Sequence, residues 1–274
     1  MARRANKSTH KCVCESWASA MTIAYEEHFL YRSHILQAQM YISVWSEEVS
    51  RLPMVLYICR HGDKQSKAHE SVLSKRGHMH AMYLGKAIVQ EGVVNPYILS
   101  SPYDRCLATA TAIAKQVNAD SILVEYCLCE GPHHIPGTVA SIRKMQEKFP
   151  LISTNYTSCL REPCGEQSQL DVLPRCQRMS EYISKLNTPA LENRHMVIVT
   201  HGTVAIGMVG ALMQNDMRQI NSIPGCCPAG YYKLKRSHQA RWTSDCICHS
   251  DHLPSDIGQC GTPTTPLCHV RTKN

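Results

Sequence analysis

The chain has 274 residues, enough for one large domain or two small ones. Hydrophobic residues at 43% and charged residues at 19% exclude a disordered chain, and 14 Gly and 14 Pro exclude collagen-like and Pro-rich scaffolds. The apolar runs fall well short of the ~20 residues that cross a bilayer, so no membrane span is expected, and the net charge of 29 − 22 = +7 favours anionic partners.

That excess lies between residues 51 and 240, because residues 1–50 carry five basic and five acidic side chains and residues 241–274 three of each. No Lys/Arg-rich block of five or more is present, so nucleic acid is not an expected partner. The 15 Cys form an odd set. The basic start, Met1-Ala-Arg-Arg, is not followed by an apolar segment, since Lys11 and Glu15 interrupt it. No signal peptide is expected, and the reading is a cytoplasmic protein with free thiols, many of them buried.

In chain order, residues 1–13 are polar. From 15 to 48, Trp17, Met21, Ala24, Tyr25, Ile35, Leu36 and Met40 recur at helical spacing, giving an N-terminal helical extension over 1–50. Met54–Cys59 is a short, continuously apolar run, as in a buried parallel strand, and ends in Arg60-His61-Gly62. Ser74–Gln90 reads as an amphipathic helix and Tyr97–Leu99 as a second strand. Pro102 starts a helix over Asp104–Val117. Ser121–Val124 is a third strand, Leu170–Leu186 a helix, His195–Thr200 a fourth strand, Thr203–Met213 an apolar helix, and Tyr231–Lys235 a late edge strand. This alternation predicts a three-layer α/β/α sandwich on a mostly parallel sheet over residues 51–240, followed by a Cys-rich tail over 241–274.

Functional groups of such sheets gather at the carboxyl ends of the strands. Arg60 and His61 follow the first strand, Arg105 lies beyond the Ser100-Ser101 turn after the second, Glu130 beyond the third, and His201 after the fourth. Two His, two Arg and a Glu suit phosphoryl transfer. A neutral imidazole can attack phosphorus, guanidinium forks hold the charge on the equatorial oxygens, and a carboxylic acid protonates the leaving oxygen. No metal and no cofactor is required for this set.

Leu56-Tyr-Ile-Cys-Arg60-His61-Gly62 resembles the Arg-His-Gly motif of the histidine phosphatase superfamily, the phosphoglycerate-mutase-like fold. Leu73-Ser-Lys-Arg-Gly77, Ser100-Ser-Pro-Tyr-Asp-Arg105-Cys-Leu-Ala-Thr109-Ala110 and Val197-Ile-Val-Thr-His201-Gly202 resemble its further motifs, in the family's order. The resemblance implies that His61 is the phosphorylated nucleophile. It implies that Arg60, Arg105 and His201 bind the phosphoryl group and that Glu130 is the acid/base. Gly62, Lys64 and Thr203, beside the two histidines in sequence, are the candidate substrate-binding residues. The substrate is then a phosphorylated small molecule or a phosphoprotein, and homodimer formation is allowed.

Val124-Glu125-Tyr-Cys-Leu-Cys-Glu130 is similar to a stretch of the Sts (suppressor of T-cell receptor signalling) phosphatases, in which the second acidic residue is the acid; this favours Glu130 over Glu125. Gly165-Glu166, Asp171-Val-Leu-Pro-Arg175 and Pro224-Gly-Cys226-Cys227 are also Sts-like. Lys64 stands where that branch carries a third phosphate-binding Arg, keeping the charge and losing the fork. The alternatives are a phosphoglycerate-type mutase, for which 201 − 130 = 71 residues between acid and second His is short, and an inactive phospho-ligand-binding relative. The tail carries Cys246, Cys248, His249, His252, Cys260, Cys268 and His269, a poor match to zinc-ligand spacing. Cys59 beside Arg60 is either a buried thiol or an oxidisable one, and His133 and His134 either line the site or lie in a solvated loop.

Overall fold

A computed structural model describes residues 54–66, 71–130, 139–160, 172–185, 195–237, 241–244 and 248–255. The N-terminal extension expected over 1–50 lies outside the described residues, as do His133, His134, Glu166 and most of the Cys-rich tail.

The core is a six-stranded sheet: β1 (Val55–Arg60), β2 (Tyr97–Ser100), β3 (Ile122–Val124), β4 (His195–Thr200), β5 (Tyr231–Arg236) and β6 (Trp242–Ser244), in the order β3-β2-β4-β1-β5-β6. β1, β2, β3 and β4 run parallel; β5 pairs antiparallel with β1, and β6 antiparallel with β5. Leu56, Ile58 and Cys59 of β1 and Met196–Val199 of β4 are wholly buried. Strands covered on both faces tolerate no polar side chain along their length, which is why both read as continuous apolar runs.

The helices are α1 (Lys75–Gln90), α2 (Asp104–Val117), α3 (Val139–Lys148), α4 (Val172–Lys185), α5 (Gly202–Leu212) and α6 (Met217–Ser222). Crossovers between parallel strands are right-handed. The steps β1 to β2 and β2 to β3 therefore place α1 and α2 on one face, and the return step from β3 to β4 places α4 on the other. The packing follows this division, α1 lying against α2 and α4 against α5. The α/β fold and its layers agree with the sequence reading.

Local chemistry sets the helix ends. Ser74 caps α1, its Oγ accepting from Gly77 N at 2.9 Å. α2 ends at Asn118, which takes the left-handed conformation (φ 53°). Asp216 and Gln219 form a reciprocal capping box on α6.

One expectation is corrected. The strand at 231–235 is not an edge. β5 is hydrogen-bonded to β1 on one side and to β6 on the other, so the sheet continues into the stretch read as tail. Tyr231 also bridges to His249, and their rings stack with centroids 5.1 Å apart.

Candidate active site

The parallel order brings the ends of β2, β4 and β1 side by side, and the polar residue following each apolar strand emerges at one edge. The backbone locks this arrangement: His61 N donates to Thr200 O at 3.0 Å and Ser101 N to Val199 O at 3.0 Å. A close approach supports the same edge. A Cβ on Gly62 would stand 2.4 Å from Gly77 O, and one on Gly77 would stand 1.9 Å from Asp63 O, so neither position admits a side chain.

Arg105, the first-turn residue of α2, is wholly buried and joins the other groups. Its Nε donates to His61 Nε2 at 3.2 Å, and its Nη2 lies 2.6 Å from Glu130 Oε2 and 3.1 Å from His201 Nδ1. Its guanidinium carbon sits 4.5 Å from the centroid of the Tyr103 ring, which also meets His201 edge-on at 5.1 Å.

The tautomers follow from these partners. His61 Nδ1 is 2.7 Å from Gly62 O; a carbonyl only accepts, so Nδ1 carries the proton and Nε2 keeps its lone pair. His201 Nδ1 faces a guanidinium that only donates, so Nδ1 accepts and Nε2–H donates to Ser101 Oγ at 3.0 Å. Burial, followed by the Arg105 charge, lowers the His61 pKa to about 3. Burial, then the neighbouring His61 and Arg105, holds His201 well below its ordinary value. Both rings are neutral at physiological pH.

Glu130 is half-buried, 3.4 Å from His201 Nδ1, and follows a 3₁₀ turn over Tyr126–Leu128. Four hydrogen bonds fix that approach. Arg175 donates to the carbonyls of Tyr126, Cys127 and Cys129, and Thr200 Oγ1 donates to Leu128 O at 2.7 Å. Glu125 is buried away from the cluster. Its carboxylate accepts from Tyr156 Oη, Ser158 Oγ and the amides of Cys127 and Cys159, so of the two acidic candidates it is Glu130 that stands at the histidines.

Arg60, at the end of β1, donates from Nη1 to Cys226 O at 2.7 Å; its Nε is buried without a hydrogen-bond partner. Gly202 adjoins its guanidinium, and a Cβ there would lie in ordinary contact, 3.4 Å from the guanidinium carbon. Lys64 is half-buried, pairs in a short bridge with Leu73, and adds to the field that keeps His61 neutral. Thr203 is half-buried in the first turn of α5. Gly62 N donates to Thr109 Oγ1 at 3.1 Å, so that amide is already used within the protein. Cys59 is the buried thiol of the two readings: it has no exposed surface, and desolvation pushes its pKa up despite the adjacent Arg60.

Tyr103, Ser101, Thr109 and Thr200 serve this site without having been singled out. Their only sequence signal is their position inside, or next to, the strand-end motifs.

The decisive likeness is a family model, that of the histidine phosphatase superfamily (branch 1), which matches residues 56–247. The chain belongs to the histidine phosphatase superfamily. An uncharacterized phosphoglycerate mutase family protein of Acanthamoeba polyphaga mimivirus is 28% identical over 135 residues, covering 48% of this chain and 60% of that protein, less than two thirds of its length. Among solved structures, the ecdysone phosphate phosphatase from Bombix mori, in complex with tungstate, superposes with a TM-score of 0.56 at 17% identity, covering 77% of this chain and 97% of that one. A mycobacterial glucosyl-3-phosphoglycerate phosphatase with inorganic phosphate gives 0.52 at 19%, covering 73% and 100%. At these identities the structural likenesses establish the superfamily's fold.

Proposed function

We propose that this histidine phosphatase superfamily member hydrolyses phosphate monoesters through a phosphohistidine on His61, with Glu130 as acid and base. The observation that carries this reading is the fixed tautomer of His61: Nδ1–H held by Gly62 O leaves Nε2 as an in-plane nucleophile beside Arg105.

In the first step Nε2 attacks phosphorus, the P–O bond to the leaving group breaks, and protonated Glu130 delivers its proton to the departing oxygen. In the second, the Glu130 carboxylate takes a proton from water, the hydroxide oxygen bonds to phosphorus, and the P–N bond breaks to release phosphate. Arg105 and the unpartnered Nε of Arg60 supply donors to the equatorial oxygens, while His201, held by Ser101 through Nε2–H, keeps the Arg105 fork in place through Nδ1. The guanidinium groups carry the charge stabilisation, so no step calls on a metal.

Within the superfamily we assign the chain to the Sts-type branch. This rests on the stretch from Val124 to Glu130, where Glu125 anchors the turn and Glu130 reaches the site, and on Cys226, whose carbonyl receives Arg60. A phosphorylated small molecule or a phosphoprotein is the substrate class.

The test is turnover of an aryl phosphate together with isolation of the phosphoenzyme. The wild type should form an acid-labile phosphoryl adduct, and His61→Ala should form none and lose hydrolysis. Retained hydrolysis in His61→Ala would overturn the assignment.

A further inference from the structure

Three thiols meet beside Arg60. Cys226 and Cys227 precede β5, and Cys248 follows β6. His249 N donates to Tyr231 O at 2.8 Å and Tyr231 N to His249 O at 3.1 Å, a bridge that brings the two segments together. Cys248 Sγ then lies 3.6 Å from Cys227 Sγ and 3.6 Å from Cys226 Sγ, and the Cys227 amide donates to it at 3.4 Å. The sulfurs crowd against Gly230, where a Cβ would stand 2.5 Å from Cys248 Sγ and 2.7 Å from Cys227 Sγ. Cys226 and Cys227 are buried, while Cys248 is half-buried and gives a reagent its access.

The turn that carries this vicinal pair also holds the first strand end of the active site. Cys226 O accepts from Arg60 Nη1 at 2.7 Å, and Gly230 O from Arg60 N at 2.9 Å. Ala229 N donates to the carbonyls of Arg60 and His61, and Gly230 N donates to Cys227 O at 2.9 Å. The thiols and Arg60 thus share one hydrogen-bonded turn.

We propose that Cys248 and the Cys226–Cys227 pair form a thiol–disulfide site that reacts with a low-molecular-weight disulfide of the glutathione type and, once oxidised, displaces Arg60. The Cys248 thiolate attacks one sulfur of the reagent, forming a mixed disulfide and expelling one small thiolate. Cys226 or Cys227, both at the same distance, then attacks the Cys248 sulfur, forming the protein disulfide and expelling the second. Two protein thiols are oxidised, the S–S bond of the reagent is reduced, and the two thiol protons end on the two released thiolates. The hydrogen bond to Cys226, with burial, pushes the Cys248 thiol up, so the exchange is slow and proximity rather than acidity selects these sulfurs. A disulfide is about 2.0 Å long, so the sulfurs close by roughly 1.5 Å. The bridge to Tyr231 anchors the residue after Cys248, and the movement therefore falls on the turn at 226–230 and on the carbonyl that holds Arg60. The effect on turnover rests on the phosphatase reading; the S–S bond does not.

The full chain is reduced, freed of reductant and equilibrated in glutathione buffers of graded thiol-to-disulfide ratio. It is then quenched by alkylation and digested, and linked peptides are identified by mass. The wild type should yield Cys248 linked to Cys226 or Cys227. Its kcat/KM on an aryl phosphate should fall about 10- to 100-fold as the linked fraction rises, and return with dithiothreitol. Cys248→Ser should give no such peptide and keep its turnover in the same buffers. Cys159→Ser, which removes the other close thiol pair, Cys127 and Cys159 at 3.9 Å, should lose turnover as the wild type does. Circular dichroism checks the fold of both variants. No linked peptide in wild type held in excess glutathione disulfide overturns the site, whatever the variants do. A linked peptide with unchanged kcat/KM, or equal loss in Cys248→Ser, overturns the coupling to Arg60. Reduced wild type without any turnover would count against the phosphatase reading alone, and the linked peptide would still decide the site.

Discussion

Arg105 and His61 share a hydrogen bond in a water-excluded site: guanidinium Nε donates to imidazole Nε2 at 3.2 Å, and the two residues are 0% and 3% exposed. The nucleophile thus rests against the group that would bind its target. An incoming phosphoryl oxygen takes over the Arg105 donor as phosphorus approaches Nε2, and the charge is met by a group already in place.

Arg105→Lys therefore separates charge from geometry. Lysine keeps the positive charge, but it cannot reach His61, Glu130 and His201 together as the fork does. Loss of one preorganised donor costs roughly 10²–10³ in kcat. Arg105→Lys should show at least that loss on an aryl phosphate with an unchanged circular dichroism spectrum; a loss under tenfold would remove Arg105 from the phosphoryl site.

Glu130→Gln preserves size and an acceptor for Arg105 but cannot transfer a proton. Proton transfer to the leaving group contributes about 10²–10⁴, and its value depends on how poor the leaving group is. Alkyl phosphates should lose turnover by about that factor, and a nitrophenyl phosphate, whose leaving group needs no proton, much less in the first step. Equal losses on the two substrate types would assign Glu130 another role.

Much of this site was legible from sequence, because an apolar run ended by one charged or polar residue marks the end of a buried strand. Arg60, His61 and His201 were found in that way, and Pro102 marked the start of α2, whose expected span of Asp104–Val117 is the observed one. What escaped was short or depended on packing. β6 has three residues, too few to show an alternation, so β5 was read as an edge. α6 has six residues, and its capping box was its only signal. For Cys59 the sequence left a buried and an oxidisable thiol as the two readings, and the buried one holds, because desolvation at the centre of the sheet raises its pKa beside Arg60. The carbonyl contacts of Arg175 join elements about fifty residues apart, which no local pattern encodes.

Gly77, which is close-packed, and Gly92, which faces open space, predict a clear asymmetry in stability. Gly77→Ala sets a methyl 1.9 Å from Asp63 O, a backbone atom that cannot rotate away. It should cost about 3 kcal/mol or more and displace the segment beginning at His61. Gly92→Ala meets no atom within 4 Å and bears only the strain of φ +78°, about 1–2 kcal/mol. Urea midpoints of the two variants test the order, which a local clash reverses only if the 62–77 contact is absent in solution.

The buried imidazoles also set the pH dependence of stability. His61 titrates near 3 in the folded protein against 6.5 when unfolded, and His201 is shifted in the same direction. Between about 3 and 6.5 the unfolded chain therefore binds more protons at these positions than the native one, and stability rises with pH across that window. The stability is fully present above 6.5 and is lost as pH falls toward 3. Replacing His61 by Asn, which does not titrate, should flatten the urea midpoint measured between pH 7.5 and pH 5, and inorganic phosphate, by binding the native cationic site, should raise the midpoint of the wild type. A pH slope identical in the wild type and His61→Asn would mean that His61 is solvated and protonated in the native protein, in conflict with its hydrogen bond from Arg105.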